Sequence, residues 1–170
     1  NDYGVTKAAA TLYVQKIANR EELPLITFRL FSPYGAKDDE KRLIPYIISQ
    51  ALQNKPLALN SGENVRDFVY IADVVQAYLQ AIDKKFIPGE IFNIGSGKQH
   101  SVYDIVTSIL ALTKSSSSLK WGTMSAQSRQ VEPKIWQADI SKAEKALDWK
   151  PKYSLKKGLQ ETIKESKENT

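Results

Sequence analysis

The feature that most constrains this chain is an alternation. Short apolar runs of β-type composition are separated by stretches whose apolar residues recur at helical spacing. Leu25-Ile26-Thr27-Phe28-Arg29-Leu30-Phe31 and Ile91-Phe92-Asn93-Ile94 are runs of the first kind. Strands covered on both faces lose the in–out pattern of a half-exposed strand and read as such unbroken runs, the mark of a buried parallel sheet. Val5, Ala8, Ala9, Leu12, Tyr13 and Ile17 mark a helix over 4–19. Further helices are predicted over 43–53, over 71–82 with Asp73 as N-cap, over 102–112 behind Ser101, over 142–147 behind Ser141, and over 155–167. Shorter extended segments fall at 57–59, 65–70 and 119–121. Turns are expected at Ser32-Pro33-Tyr34-Gly35, Ser61-Gly62, Pro88-Gly89 and Gly95-Ser96-Gly97. Strands alternating with helices predict an α/β architecture.

At 170 residues the chain can bury one core, or one domain and part of another. It contains no cysteine and one histidine, which removes disulfides, thiolate metal sites and multi-histidine centres, so no metal is expected. The absence of cysteine is consistent with a reducing cytoplasm. No apolar run approaches the roughly 20 residues of a membrane helix. The net charge of +5 comes largely from C-terminal lysines with glutamates interleaved, as in Lys156, Lys157, Glu161, Lys164 and Glu165. That reads as a solvated helix face, not as a nucleic-acid patch.

Two places carry chemistry. Tyr3 and Lys7 are spaced i, i+4, so the ammonium can stand beside the phenol on one helix face. A phenol titrates near pH 10, and an adjacent cation favours its phenolate, which turns it into a usable proton acceptor. The pattern is common by chance and cannot stand alone. Arg66 offers a planar fork suited to a phosphate, or else a surface partner for Asp67.

Five ordered blocks extend these readings. They are Tyr3 through Ala10; Phe28-Arg29-Leu30-Phe31-Ser32-Pro33-Tyr34-Gly35; Val65-Arg66-Asp67-Phe68-Val69-Tyr70-Ile71-Ala72-Asp73-Val74-Val75; Phe92-Asn93-Ile94-Gly95-Ser96-Gly97; and Ala138-Asp139 through Leu147-Asp148-Trp149-Lys150-Pro151. Together they resemble the extended short-chain dehydrogenase/reductases that act on nucleotide-sugars, and the resemblance covers essentially the whole chain. It implies the C-terminal part of a Rossmann-fold parallel sheet, at 1–35 and 68–97. A smaller mixed α/β lobe for the nucleotide-sugar would lie at 36–67 and 98–170. It implies NAD or NADP as cofactor, with Tyr3 as catalytic acid/base, Lys7 lowering its pKa and holding the nicotinamide ribose, and Leu30 beside the cofactor. Arg66 and Arg129 would contact the diphosphate, and Glu132 the nucleotide ribose. Ser32, Arg42, Leu43, Leu59 and Trp136 would complete the substrate side. Leu43 and Leu59 read equally well as core, and Trp136 as packing under the last helices.

The same resemblance implies a Ser or Thr partner and a glycine-rich phosphate turn ahead of Tyr3, where the chain begins at Asn1. The expectation is therefore the C-terminal half of an enzyme, inactive alone and homodimeric when whole. Departures bear on the reaction. Ser32 and Arg42 stand where sugar 4-epimerases tend to carry Asn, and with Arg129, Glu132 and Trp136 they resemble CDP-dideoxyhexose 4-reductases and epimerases. Epimerase or dehydratase chemistry at sugar C4, NADPH-dependent 4-ketoreduction, and non-catalytic nucleotide-sugar binding are the three readings. His100, before the expected cap Ser101, reads as a surface residue.

Overall fold

The computed structural model describes residues 2–122 and 133–168. Helix α1 spans Asp2–Arg20 and leads into β1, Ile26–Leu30. Strand β5, Glu90–Ile94, lies parallel to β1, with Ile26 opposite Glu90 and Leu30 opposite Ile94. Phe31 donates a last backbone bond to Ile94, after which the chain changes partner. Strand β2, Ser32–Tyr34, pairs in parallel with β4, Val65–Tyr70. Strand β6, Gln99–Ser101, pairs antiparallel to the start of β4, with His100 opposite Arg66 and Gln99 opposite Asp67. A third pair joins β3, Leu57–Leu59, in parallel to β7, Leu119–Trp121. The architecture is α/β with parallel pairing, as expected.

Helices cover these strands: α2 (Leu43–Leu52), α3 (Ile71–Ile82), α4 (Val102–Thr113), α5 (Ser141–Leu147) and α6 (Leu155–Glu168). Two cores result. The first joins Ile44, Ile47, Ile48, Leu57, Ile105, Ile109 and Leu159, from α2, β3, α4 and α6. The second gathers Val69, Val74, Phe92, Ile94, Leu147 and Trp149, so α3 and α5 pack on β5. Each fully buried Ile or Leu contributes about 1.5–3 kcal/mol. Residues 65–70 therefore run between two cores, with Phe68 and Tyr70 facing the first and Val69 the second, the period-2 alternation of a strand buried on both faces.

Several sequence expectations need correction. Ser32–Tyr34 was expected as a turn but forms a strand; Pro33 lacks an N–H, and β2 tolerates it because it is an edge with β4 as its one neighbour. Asp73 does not cap α3, because Tyr70 holds the cap position. Asp73 is buried one turn in, where its carboxylate accepts the backbone N–H groups of Lys152 (2.9 Å) and Tyr153 (3.1 Å). Its carbonyl accepts the Trp149 indole N–H at 2.9 Å. Ser141 is the first residue of α5 instead of its cap, and its N–H is held by the Asp139 carboxylate at 3.0 Å. The Ser141 hydroxyl, and then this N–H, hold Asp139 below its ordinary carboxylate value. Ser101 caps α4 as expected, in a reciprocal box with Asp104. His100 is half-buried within β6.

Candidate functional site

Strand β4 places Arg66 and Asp67 at successive positions, hence on opposite faces. Asp67 is wholly buried and bonded four times. Its Oδ1 accepts the Ser96 N–H at 2.6 Å and the Ser96 hydroxyl at 2.7 Å. Its Oδ2 accepts the N–H groups of Gly97 and Ala138, both at 3.0 Å. The Gly95-Ser96-Gly97 turn thus wraps a carboxylate. A Cβ at Gly95 would stand 2.6 Å from the Ala138 Cβ and 2.9 Å from Asp67 Oδ2, and Gly97 has φ +71°, so glycine is required at both. The alternative of a surface pair between Arg66 and Asp67 is excluded, because the Asp67 oxygens face the turn and the Ala138 segment.

Arg66 lies on the other face, half-buried, with its Nη1 donating to the Val65 carbonyl at 2.8 Å. Its guanidinium carbon stands 4.6 Å from the centre of the Trp136 ring system. Trp136 is 39% exposed and rests on Arg66, not under the final helices. Its backbone N–H donates to Gln99 Oε1 at 3.0 Å, and the next side chain, Gln137, donates to the Gly97 carbonyl at 2.6 Å. Arg129 and Glu132, expected on the phosphate and the nucleotide ribose, lie outside the described residues.

Tyr3 and Lys7 meet as their spacing requires, with the Lys7 ammonium 5.5 Å from the Tyr3 ring centre. Tyr3 is 71% exposed, and of the described residues of α1 only Ala18 is fully buried. The chain holds a second Tyr-x-x-x-Lys, Tyr153 and Lys157, at 4.3 Å. That tyrosine packs on Tyr70 at 4.6 Å between ring centres, beside the first core. Two further tyrosines are unsuited to proton transfer. Burial, and then the neighbouring Tyr70 and Asp73, push the Tyr34 hydroxyl far up. Burial, with Glu165 nearby, pushes Tyr70 up to about 12. Openness, rather than spacing, separates Tyr3 from Tyr153, the tyrosine of the second such motif.

The C-terminal half of α1 lies at the amino end of β5, where Gln15 donates to the Gly89 carbonyl at 3.1 Å. Tyr3 is twelve residues earlier, about 18 Å along a helix, close to the length of a five-residue strand. Tyr3 and Lys7 therefore lie toward the carboxyl end of the β1–β5 pair. Leu30 ends β1 there, 40% exposed, and the half-buried Ser32 follows. Arg42 is apart from this group and pairs with Asp38 at 3.1 Å. Leu43 is half-buried against the first core, and Leu59 is buried within it. A cleft of about 1000 Å³ between the 35–40 loop, α2 and α6 includes none of the residues Tyr3, Lys7, Arg66 and Trp136. A smaller one of about 570 Å³, lined by Ser96, Gly97, Gln137 and Ala138, borders the Asp67 corner. Asp67 and Gln99 escaped the sequence reading. Their signal was a Gly-Ser-Gly turn directly after a buried strand, a ready set of N–H donors.

Residues 1–95 match the model of the NAD dependent epimerase/dehydratase family. The chain is 32% identical over 172 residues to the human dTDP-D-glucose 4,6-dehydratase, spanning 99% of this chain and 49% of that protein. It is 31% identical over 153 residues to the CDP-abequose synthase of Salmonella typhimurium, spanning 86% and 50% respectively. Among solved structures, a UDP-glucuronic acid 4-epimerase from Bacillus cereus, in complex with UDP-glucuronic acid and NAD, superposes with a TM-score of 0.87 at 31% identity. That match covers 99% of this chain and 53% of the other. The chain spans about half the length of the curated relatives it matches. With a matched region that carries both the Tyr3–Lys7 pair and Arg66, the chain belongs to the NAD dependent epimerase/dehydratase family.

Proposed function

We propose that this chain supplies the proton-relay and diphosphate-binding half of a nucleotide-sugar epimerase or dehydratase working at sugar C4, completed by a preceding segment. The observation that carries this reading is the open Tyr3–Lys7 pair at the carboxyl end of two parallel strands, where ligands of open α/β sheets lie. The residues present fit a nicotinamide dinucleotide: a phenol and an ammonium on one exposed helix face can both bond ribose hydroxyls, with Leu30 as an apolar neighbour. When bound, that cofactor supplies the hydride acceptor and donor. Tyr3 takes the proton from the sugar hydroxyl and later returns it. Lys7, beside the Tyr3 ring on the same helix face, holds the ribose. Arg66 binds the diphosphate as a bidentate fork, with Arg129 and Glu132 on the phosphate and the nucleotide ribose. Ser32, Arg42 and Trp136 form the substrate side, with Leu43 and Leu59 packed behind it in the first core. Residues 1–35 and 68–97 make the cofactor side and 36–67 with 98–170 the sugar side, α5 and Trp149 packing back onto the first. The whole enzyme is a homodimer.

A second reading, NADPH-dependent 4-ketoreduction of a CDP- or dTDP-deoxyhexose, draws support from the likeness to the CDP-abequose synthase and from Ser32 and Arg42. Proton NMR of the full-length enzyme with UDP- and CDP-hexoses, with and without NADPH, separates the two. C4 interconversion or water loss without net NADPH use, lost in Tyr3→Phe by at least about a hundredfold, supports the first. Turnover confined to a 4-keto substrate with NADPH supports the second. Binding without turnover in every arm overturns both and leaves a non-catalytic nucleotide-sugar binder.

A further inference from the structure

We infer that Trp136 is a positioning residue for Arg66: the indole holds the guanidinium in the orientation that grips a nucleoside diphosphate. The inference rests on the reading of Arg66 as the diphosphate ligand and adds how that ligand is aimed. The guanidinium stands 4.6 Å over the Trp136 ring, the cation–π arrangement in which a flat cation keeps its N–H edges directed past the ring. An arginine loses rotamer entropy when its long side chain is fixed. A face that fixes it beforehand removes part of that cost from binding.

The placement of the indole is enforced locally. Three consecutive residues are tied to the same corner: the Trp136 N–H to Gln99 Oε1 at 3.0 Å, the Gln137 side chain to the Gly97 carbonyl at 2.6 Å, and the Ala138 N–H to Asp67 Oδ2 at 3.0 Å. Gln99 and Asp67 are themselves cross-strand partners in the β4–β6 register, with Arg66 the next residue along. One strand pair thus carries both the arginine and the anchors of the ring that faces it. Yet Trp136 is 39% exposed and belongs to neither core, so its packing does little for stability.

The test is a double-mutant cycle in the full-length enzyme, with UDP, CDP and dTDP as probes in titration calorimetry at fixed ionic strength. Arg66→Gln weakens at least one of the three probes by tenfold or more. Trp136→Leu, which keeps an apolar side chain without a ring face, weakens the same probe about two- to fivefold. Trp136→Phe restores most of that loss, and the melting temperatures of the two Trp136 variants agree. In the Arg66→Gln background, Trp136→Leu has no further effect. On a nucleotide-sugar that is turned over, the loss in Trp136→Leu falls on KM more than on kcat. Equal affinities of the Leu and Phe variants, or an undiminished Trp136→Leu effect without Arg66, overturn the positioning role while leaving Arg66 as a ligand. No effect of Arg66→Gln on any probe overturns the reading of Arg66 itself, and the positioning role with it.

Discussion

The corner around Arg66 and the helix carrying Tyr3 are built on opposite principles. At the corner, a buried carboxylate, a Gly-Ser-Gly turn, a glutamine and a tryptophan interlock through bonds of 2.6–3.0 Å, all supplied by residues 66–138. Helix α1 has no comparable support among the described residues: Tyr3, Val5, Leu12 and Tyr13 are exposed, and the ties it makes, such as Gln15 to Gly89, are near its C-terminal end. Under the proposed function, Arg66 grips a diphosphate, and rigidity in its own surroundings serves that task. Under the same proposal Tyr3 and Lys7 need openness on the side from which cofactor and sugar arrive, and their precision has to come from whatever fills that side.

The contrast can be broken most severely at Asp67. Asp67→Ala leaves four donors in a dry site, and each unsatisfied buried group costs about 1–3 kcal/mol. Chemical denaturation of the full-length protein should show a loss of about 3 kcal/mol or more, with diphosphate binding lost alongside. A loss below about 1 kcal/mol would mean that water replaces the carboxylate and that the corner is less closed than its geometry indicates.

A middle effect is expected at the start of α4, beside the corner. Ser101→Ala removes half of a reciprocal box and should cost about 1 kcal/mol. The Ser101 hydroxyl and N–H hold Asp104 below the ordinary carboxylate range. A group whose pKa falls on folding contributes stability above its unfolded value, and that contribution is lost as pH falls through the folded one. The penalty of Ser101→Ala should therefore be full at neutral pH and shrink on the acid side of the usual carboxylate range, read as converging denaturation midpoints. The smallest effect is expected on α1. Leu12→Ser should change stability by less than about 0.5 kcal/mol in this chain, because its side chain is 66% exposed. A larger cost in the full-length enzyme than in this chain would show that the open face of α1 is covered there.

What could be read beforehand follows the range of the forces involved. β1 and β5 were legible because burial on both faces writes itself into composition, and Ser101 because a cap acts over three residues. β2 and β6 were not, since Ser32-Pro33-Tyr34 carries turn residues and Gln99-His100-Ser101 is polar, so both owe their existence to pairing with β4. Asp73 looked like a cap because carboxylates favour helix starts. Its partners Lys152 and Tyr153 lie 79 and 80 residues away, beyond any local signal. The same holds at the site. Tyr3, Lys7 and Arg66 are visible as motif residues, but that Trp136 faces Arg66, and that Asp67 organises both, depends on contacts across 29–71 residues. The outward face of α1 also escaped, because helical spacing shows where apolar residues fall and not what they meet.

The two buried carboxylates of residues 67 and 73 carry a consequence for how the protein is made. As the chain leaves the ribosome, Asp67 on β4 and Asp73 at the start of α3 emerge early, but Asp67 gains its last donor at Ala138 and Asp73 gains its pair only at residues 152 and 153. Until then a charged carboxylate at either place is more stable in water than in a core. Both carboxylates thus depend on donors that are made late, and a version stopped short of Lys152 would leave the Asp73 carboxylate without its two backbone donors.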